Sequence, residues 1–249
     1  MTLKASPSRS VAPRIAYQHI PKCAGTSMFQ ALRDCGLFAP EEVACLAGPP
    51  TSVVASLFGE DLHEFRERLL VYYLAHDDLR CLAGHFRWSR TAWCAFADSW
   101  QFITLLREPL SRWYSHYFYN REKRRDERFQ ITVDLEEFVQ TDRAVAIGGT
   151  LAYFFADASA PGEQSLVDQA LSNLDRYALV GCLEHLDAFT ARFRQAYGVE
   201  LCLQNENESP RNRASQLAEI TPEIDRRVRD LCAVDTEIYR RVVERHVKP

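Results

Sequence analysis

The sequence contains no run of about 18 apolar residues, and its opening stretch "MTLKASPSRSVAP" is polar, so neither a membrane-spanning helix nor an export signal is expected. It lacks a surplus of positive charge. Thirty Lys and Arg stand against 34 Asp and Glu, a formal net charge of −4, which removes the global positive field that nucleic acid or an anionic membrane would call for. An anionic ligand must therefore be met locally. Cys-x-x-Cys pairs are also missing: Cys23, Cys35, Cys45, Cys81, Cys94, Cys182, Cys202 and Cys232 are scattered and adjoin no histidine cluster in sequence. That pattern speaks against a bound metal or a disulfide framework and for buried, reduced thiols in a cytoplasmic protein. No internal repeat, low-complexity tract or Gly-x-x-x-x-Gly-Lys-Ser/Thr loop occurs.

What is there is ordinary globular material, 47% hydrophobic and 26% charged in 249 residues, enough for one sizeable core. Residues 1–13 are expected to form a disordered tail and 14–249 one domain. Arg14 to Tyr17, "RCLAGHF" ending at Gly84-His85, "WQFITLL" and "YALVGC" read as strands, the third apolar throughout. Between them lie helical patterns: Met28, Leu32 and Cys35 before Gly36, a long stretch from Val54 to Tyr73, and a helix opened by Pro109 with Leu110, Trp113, Tyr114 and Tyr117 on one side. "APEEVACLAGPPTS" reads as loop, Leu135 to Gln140 as a short helix, Gly148-Gly149 as a flexible joint, and two helices from Pro222 and about Val234 close the chain. Alternating strands and helices imply a single-domain α/β fold with a mostly parallel central sheet flanked by helices.

Such sheets bind ligands at the carboxyl ends of their strands. Three polar clusters fall there: "PKCAGTS" at 21–27, Gly84-His85, and Arg107. In the first, Lys22, the backbone N–H groups around Gly25 and the hydroxyls of Thr26 and Ser27 suit an oxyanion at a helix N-terminus, and Gly25 permits close backbone approach. The same residues also fit a solvent lysine beside a capping hydroxyl. Cys23 sits where a helix terminus can lower a thiol pKa. Arg107 ends a buried strand, where its guanidinium needs a carboxylate or phosphate, and Ser115 lies two turns along the next helix. Glu108 is the competing partner for Arg107. Two anion sites on one sheet edge imply a ligand with two anionic groups.

"HIPKCAGTS", "GHF" and "LREPLSRWYSHYF", in that order, resemble the motifs of the sulfotransferases related to heparan sulfate 2-O-sulfotransferase. "LVGCLEHLDAF" and the Asp235 to Tyr239 stretch are similar to later segments of that family. The resemblance implies a bacterial, cytosolic type of enzyme with a fold similar to P-loop nucleotide kinases. It implies the co-substrate 3′-phosphoadenosine 5′-phosphosulfate, no metal, and an acceptor hydroxyl, in that family a carbohydrate one. Lys22, Cys23, Ala24, Gly25, Thr26 and Ser27 then correspond to the 5′-phosphosulfate loop, Lys22 facing the oxygen that bridges sulfur and phosphorus. Arg107 and Ser115 correspond to the 3′-phosphate site and His85 to the general base, near its ordinary pKa of about 6.5. Cys23 stands where threonine is common in that loop, and Ala83 where the heparan enzyme has a second histidine.

Lesser candidates for the 3′-phosphate are Arg112, Arg211 and Arg213. Arg87 and Trp88 are candidates to face the acceptor, and "NREKRRDER" (120–128) to meet an acidic glycan. His19, His63, His76 and His116 read as packing residues. Two other functions fit the architecture: a nucleotide kinase or NTPase, against which the order of lysine and glycine counts, and a non-catalytic nucleotide- or glycan-binding relative.

Overall fold

The first strand, β1 (Ile15–Gln18), sorts its side chains by parity, as a strand covered on both faces must. Ile15 and Tyr17 enter one core and Ala16 the other, all fully buried. The remaining strands are β2 (Val43–Leu46), β3 (Cys81–Gly84), β4 (Gln101–Leu106) and β5 (Leu179–Cys182). In the computed structural model, which describes residues 13–46, 48–122, 129–156, 162–203 and 213–247 and the side chains of 215–247 in the last segment, they form one parallel sheet in the order β2-β3-β1-β4-β5. Gln18 and Leu46 both pair with Gly84, so β1, β2 and β3 end level, while β4 runs two residues past Thr104, the partner of Gln18, and the loops that follow open on one edge. The chain leaves β1 toward the β2 edge and leaves β4 toward β5. The crevice between the ends of β1 and β4 is therefore the topological switch point.

One face of the sheet is covered by α1 (Gly25–Asp34), through Met28, Ala31 and Leu32, and by α10 (Leu186–Tyr197), through Phe189 and Phe193. The other is covered by α3 (Leu62–Leu74), α4 (Arg90–Phe96), α8 (Thr150–Phe155), α9 (Glu163–Leu174) and α13 (Ala233–Val242). A third apolar cluster joins α5 (Pro109–Glu122), α6 (Leu135–Phe138), α7 (Asp142–Gly148) and α12 (Pro222–Leu231) around Trp113 and Tyr117. The helices α2 (Gly48–Phe58) and α11 (Arg213–Ala218) complete the description.

The α/β reading holds, and the sheet is parallel throughout. Four local expectations change. The stretch taken as loop contains β2, a four-residue edge strand, and Pro49 and Pro50 sit in the first turn of α2, where a missing N–H costs nothing. The single helix expected from Val54 to Tyr73 is two, broken at Gly59 (φ 65°) and restarted where Asp61 accepts from the N–H groups of His63 and Glu64. The helix from Leu135 ends at Phe138, and Gly148 is no flexible joint but is buried, with the Leu231 carbonyl 2.3 Å from where a Cβ would lie. The expected tail, residues 123–128 and Arg211 lie outside the described residues, as does the side chain of Arg213.

Two buried polar knots fix the carboxyl edge. Gln18 donates to the carbonyl of Phe86 at 2.9 Å and accepts from the Tyr177 hydroxyl, tying β1 to the segment that carries His85. Arg112, fully buried, lies 3.6 Å from Asp235 and donates to the Ile147 carbonyl, while Asp235 accepts from the N–H groups of Leu151 (2.7 Å) and Ala152 (3.0 Å) at the start of α8. Arg112 thus ties α5 to α8 and α13 through Nη2, its Nε and Nη1 are buried without a hydrogen-bond partner, and it is not among the residues that line the ligand cavity.

Candidate active site

A cavity of about 830 Å³ opens at the carboxyl edge of the sheet. Its walls include four cations, Lys22, Arg66, Arg107 and Arg143, and four histidines, His19, His63, His85 and His116. Among the described residues no Asp or Glu lines it. A chain of net charge −4 has here brought four cations to one cavity, a local positive field suited to an anion.

The loop from β1 to α1 shows how that site is built. Lys22 and Ala24 both adopt positive φ, 67° and 53°, which is unfavourable for residues with a Cβ, while Cys23 between them does not. Alternating signs of φ turn successive N–H groups toward one side and make an anion-binding concavity. No side chain caps α1 at Ala24, so neither Thr26 nor Ser27 serves as a helix cap, and both line the cavity. The Lys22 ammonium lies 3.4 Å from the centre of the Tyr119 ring, a cation–π contact from α5.

Arg107 donates from Nη1 to the Lys22 carbonyl at 3.3 Å, supporting the left-handed turn, and lines the cavity with Ser115. Glu108 is not its partner: its carboxylate accepts from the N–H groups of Leu110 (3.1 Å) and Ser111 (2.7 Å) and starts α5. The Glu108 N–H donates to Glu184 at 3.0 Å, which also accepts from Tyr239 at 2.7 Å and so fixes the junction after Arg107.

Cys23 departs from expectation. Its side chain is fully buried in the core, its N–H is already bonded to the Ile20 carbonyl, and burial pushes its thiol up to about 12. The thiol packs in the core and Cys23 is not among the residues that line the cavity, so what it can offer a ligand there is backbone. All eight cysteines are free, but only Cys23, Cys81, Cys182 and Cys232 are buried. Arg87 and Trp88 also leave the site: Arg87 donates to the carbonyls of Tyr153 and Ala156, and Trp88 packs against the core.

The histidines are the largest surprise. The ring of His19, expected only to pack, stacks on His85 with centroids 4.1 Å apart. It also fills the space above Gly25, where a Cβ would lie 1.7 Å from its Nε2. Gly25 is therefore needed to seat an imidazole, a reason invisible in a reading that saw only backbone approach. His85 Nδ1 lies 2.7 Å from the His19 carbonyl. A carbonyl only accepts, so Nδ1 carries the proton and Nε2 keeps its lone pair.

Burial and nearby Arg66 lower His85 to about 4, well below the ordinary value expected from sequence. His63 is lowered to about 4 and His116 to about 3, burial first and neighbouring arginines second, and burial holds His19 well below its usual range. At neutral pH these imidazoles are uncharged. Between pH 6.5 and 4 the unfolded chain takes up protons that the folded one refuses, so stability is expected to fall as pH drops through that window. His85 alone opposes folding by up to about 2 kcal/mol at pH 5. Asp235, raised to about 6 by burial, works the other way, but one group does not offset four. Melting temperature against pH checks this: the decline from pH 7 to 5 should be shallower in His116→Asn, and an unchanged slope would assign the acid sensitivity elsewhere.

No protein-family model matches the chain, and no curated protein matches it. Among solved structures it is similar to a sulfotransferase from Alicyclobacillus acidocaldarius, at 12% identity and a TM-score of 0.46 over 94% of this chain and 97% of that one. It is also similar to mouse sulfotransferase SULT7A1 complexed with PAP, at 10% identity and a TM-score of 0.43 over 94% and 89%. Likeness at this level transfers no residue's role; the site's own geometry has to carry the functional argument.

Proposed function

We propose that this chain, as one domain over residues 14–249, transfers a sulfuryl group from 3′-phosphoadenosine 5′-phosphosulfate to an acceptor hydroxyl. What carries the reading is one juxtaposition: a left-handed loop at an uncapped helix and the tautomerically fixed imidazole of His85 open on the same cation-walled cavity. The loop suits the 5′-phosphosulfate, through the N–H groups at the start of α1, the hydroxyls of Thr26 and Ser27, and Lys22. Arg107 and Ser115, at the β4 side of the switch point, suit the 3′-phosphate. As the acceptor oxygen bonds to sulfur, its proton passes to His85 Nε2, and the bond from sulfur to the bridging oxygen breaks with its electron pair leaving on adenosine 3′,5′-bisphosphate. Charge grows on that oxygen, and a fixed ammonium at Lys22 favours the transition state over the ground state. A carbohydrate acceptor is the class that the motif resemblance favours, and eight free thiols accord with a cytoplasmic setting. Among the described residues no helix is long and apolar enough to cross a membrane.

Donor recognition provides the test. Adenosine 3′,5′-bisphosphate should raise the melting temperature without magnesium, and ADP and ATP should do so much less. Equal stabilisation by ATP, or strict dependence on magnesium, would favour the kinase reading. Arg107→Ala should weaken adenosine 3′,5′-bisphosphate by about 2 kcal/mol, and AMP by less, since only the first has a 3′-phosphate. An equal loss for both, measured by calorimetry, would confine Arg107 to supporting the Lys22 carbonyl.

A further inference from the structure

Of the four cavity cations, Arg66 and Arg143 are not assigned to the donor, and Arg143 donates to the carbonyls of Phe129 and Gln130. Arg66 projects from α3, only 7% exposed, on the far side of His85 from Lys22 and Arg107. The strand order places it: Nη2 reaches the carbonyl of Gly48, which follows the edge strand β2, at 3.5 Å, and His85 follows β3 between that edge and the β1–β4 crevice. Nε donates to Thr51 Oγ1 at 3.1 Å. Nη1 has no hydrogen-bond partner, and no carboxylate pairs with the group among the described residues. A buried guanidinium with a neutral hydroxyl and a carbonyl as its only partners is left with uncompensated charge, which is costly unless a ligand supplies the anion.

One turn earlier on the same face of α3, His63 also lines the cavity. Its Nδ1 is buried with no partner, and its ring meets Tyr153 edge-on at 5.0 Å. A guanidinium nitrogen of Arg66 without a protein partner and an unsatisfied ring nitrogen of His63 thus share one wall of the cavity, both on α3, whose Arg66 lowers His85. We infer that Arg66 and His63 form an acceptor subsite for an anionic group, a carboxylate or a sulfate or phosphate ester, on the molecule whose hydroxyl meets His85. The inference rests on the sulfuryl-transfer reading for the identity of that molecule as acceptor. It also has a chemical reason: an anionic acceptor must approach an anionic sulfuryl group, and a fixed cation on the acceptor side offsets the repulsion.

The probe is methyl phosphate, titrated by ³¹P NMR and calorimetry into the protein saturated with adenosine 3′,5′-bisphosphate, which occupies the nucleotide's anion sites. Wild type should bind it saturably. Arg66→Gln should weaken it at least about tenfold and Lys22→Ala less than about threefold, as expected if a charge-assisted fork is lost only in the first. Arg66→Lys, which keeps the charge without the fork, should fall between. Absence of saturable binding, equal binding by Arg66→Gln, or a loss confined to Lys22→Ala would overturn the inference. Since Arg66 also braces α2, wild-type crystals soaked in selenate with the nucleotide decide the matter if Arg66→Gln fails to fold. An anomalous peak within hydrogen-bond reach of Arg66 Nη1 supports the subsite, and one confined to residues 22–27 overturns it. If adenosine 3′,5′-bisphosphate fails to bind at all, the sulfuryl-transfer reading falls, yet methyl phosphate held through Arg66 would still establish an anion site there.

Discussion

Replacing His85 by alanine is expected to lower kcat roughly 10²–10⁴-fold while leaving the affinity for adenosine 3′,5′-bisphosphate nearly unchanged, because the proposed base touches the acceptor's proton and not the nucleotide. The sharper part of the prediction is its pH dependence. In the wild type, the acidic limb of kcat/KM reports the free enzyme, where burial and Arg66 hold His85 near 4. That limb should lie well below the value of about 6.5 that an ordinary histidine would give. Bound donor brings phosphate and sulfate charge beside Lys22 and Arg107, offsetting the positive field at the imidazole, so the limb in kcat should appear at higher pH than the limb in kcat/KM. Lys22→Ala should lose both donor affinity and kcat yet keep the limb, since the ammonium acts on the phosphosulfate in ground and transition states alike. The measurement is sulfuryl transfer from labelled donor to the best acceptor of a hydroxyl panel. Wild-type kcat in a folded His85→Ala protein, with the same limb, would reduce His85 to a packing residue and reopen the choice of base.

The contrast between the expected and observed behaviour of His85 marks where the sequence stops being readable. Its place at a strand end was legible, because "RCLAGHF" carries a local β pattern and the motif order supplied the rest. Its environment was not, because the groups that shift it, Arg66 and His63, come from a helix some 20 positions earlier and become neighbours only through the sheet order. Arg66 gave no signal in sequence: in "LHEFRERLLVYYL" it reads as one of two arginines on a mixed-charge helix, and only packing shows it to be buried while Arg68 is exposed. The same limit hid β2. Four residues between Pro40 and Pro49, only one of them fully buried, have neither the length nor the alternation that identifies a strand, and it is pairing with β3 that makes them one. By contrast, the loop and helix after β1 and the helix opened by Pro109 were readable because their signals are local: an apolar stripe at helical spacing, and a proline where the first turn tolerates it.

Gly25 tests that boundary most directly, since sequence and structure assign it different duties. If its bare Cα serves an anion, alanine there should weaken adenosine 3′,5′-bisphosphate binding whatever stands at position 19. The structure gives a different expectation, for the added Cβ would fall 1.7 Å from His19 Nε2 and 1.8 Å from Cδ2, far inside van der Waals contact with a ring that is itself held against His85. Gly25→Ala should therefore cost about 3 kcal/mol of stability by overpacking, more than the few tenths that alanine can return as a better helix former at the first position of α1. It should also lower kcat, because the displaced His19 carries the carbonyl that fixes the His85 tautomer. In a His19→Ala background the obstruction is gone, and the same substitution should cost almost nothing, a coupling of about 2 kcal/mol or more between adjacent sites. Denaturant unfolding of the wild type, the two single variants and the double variant measures that coupling, and nucleotide affinity is read on the same four proteins. Additive costs, together with a tenfold loss of nucleotide affinity in both backgrounds, would return Gly25 to the anion and make the stacked His19 incidental; strong coupling with unchanged affinity would mean that the glycine in this loop is there for an imidazole.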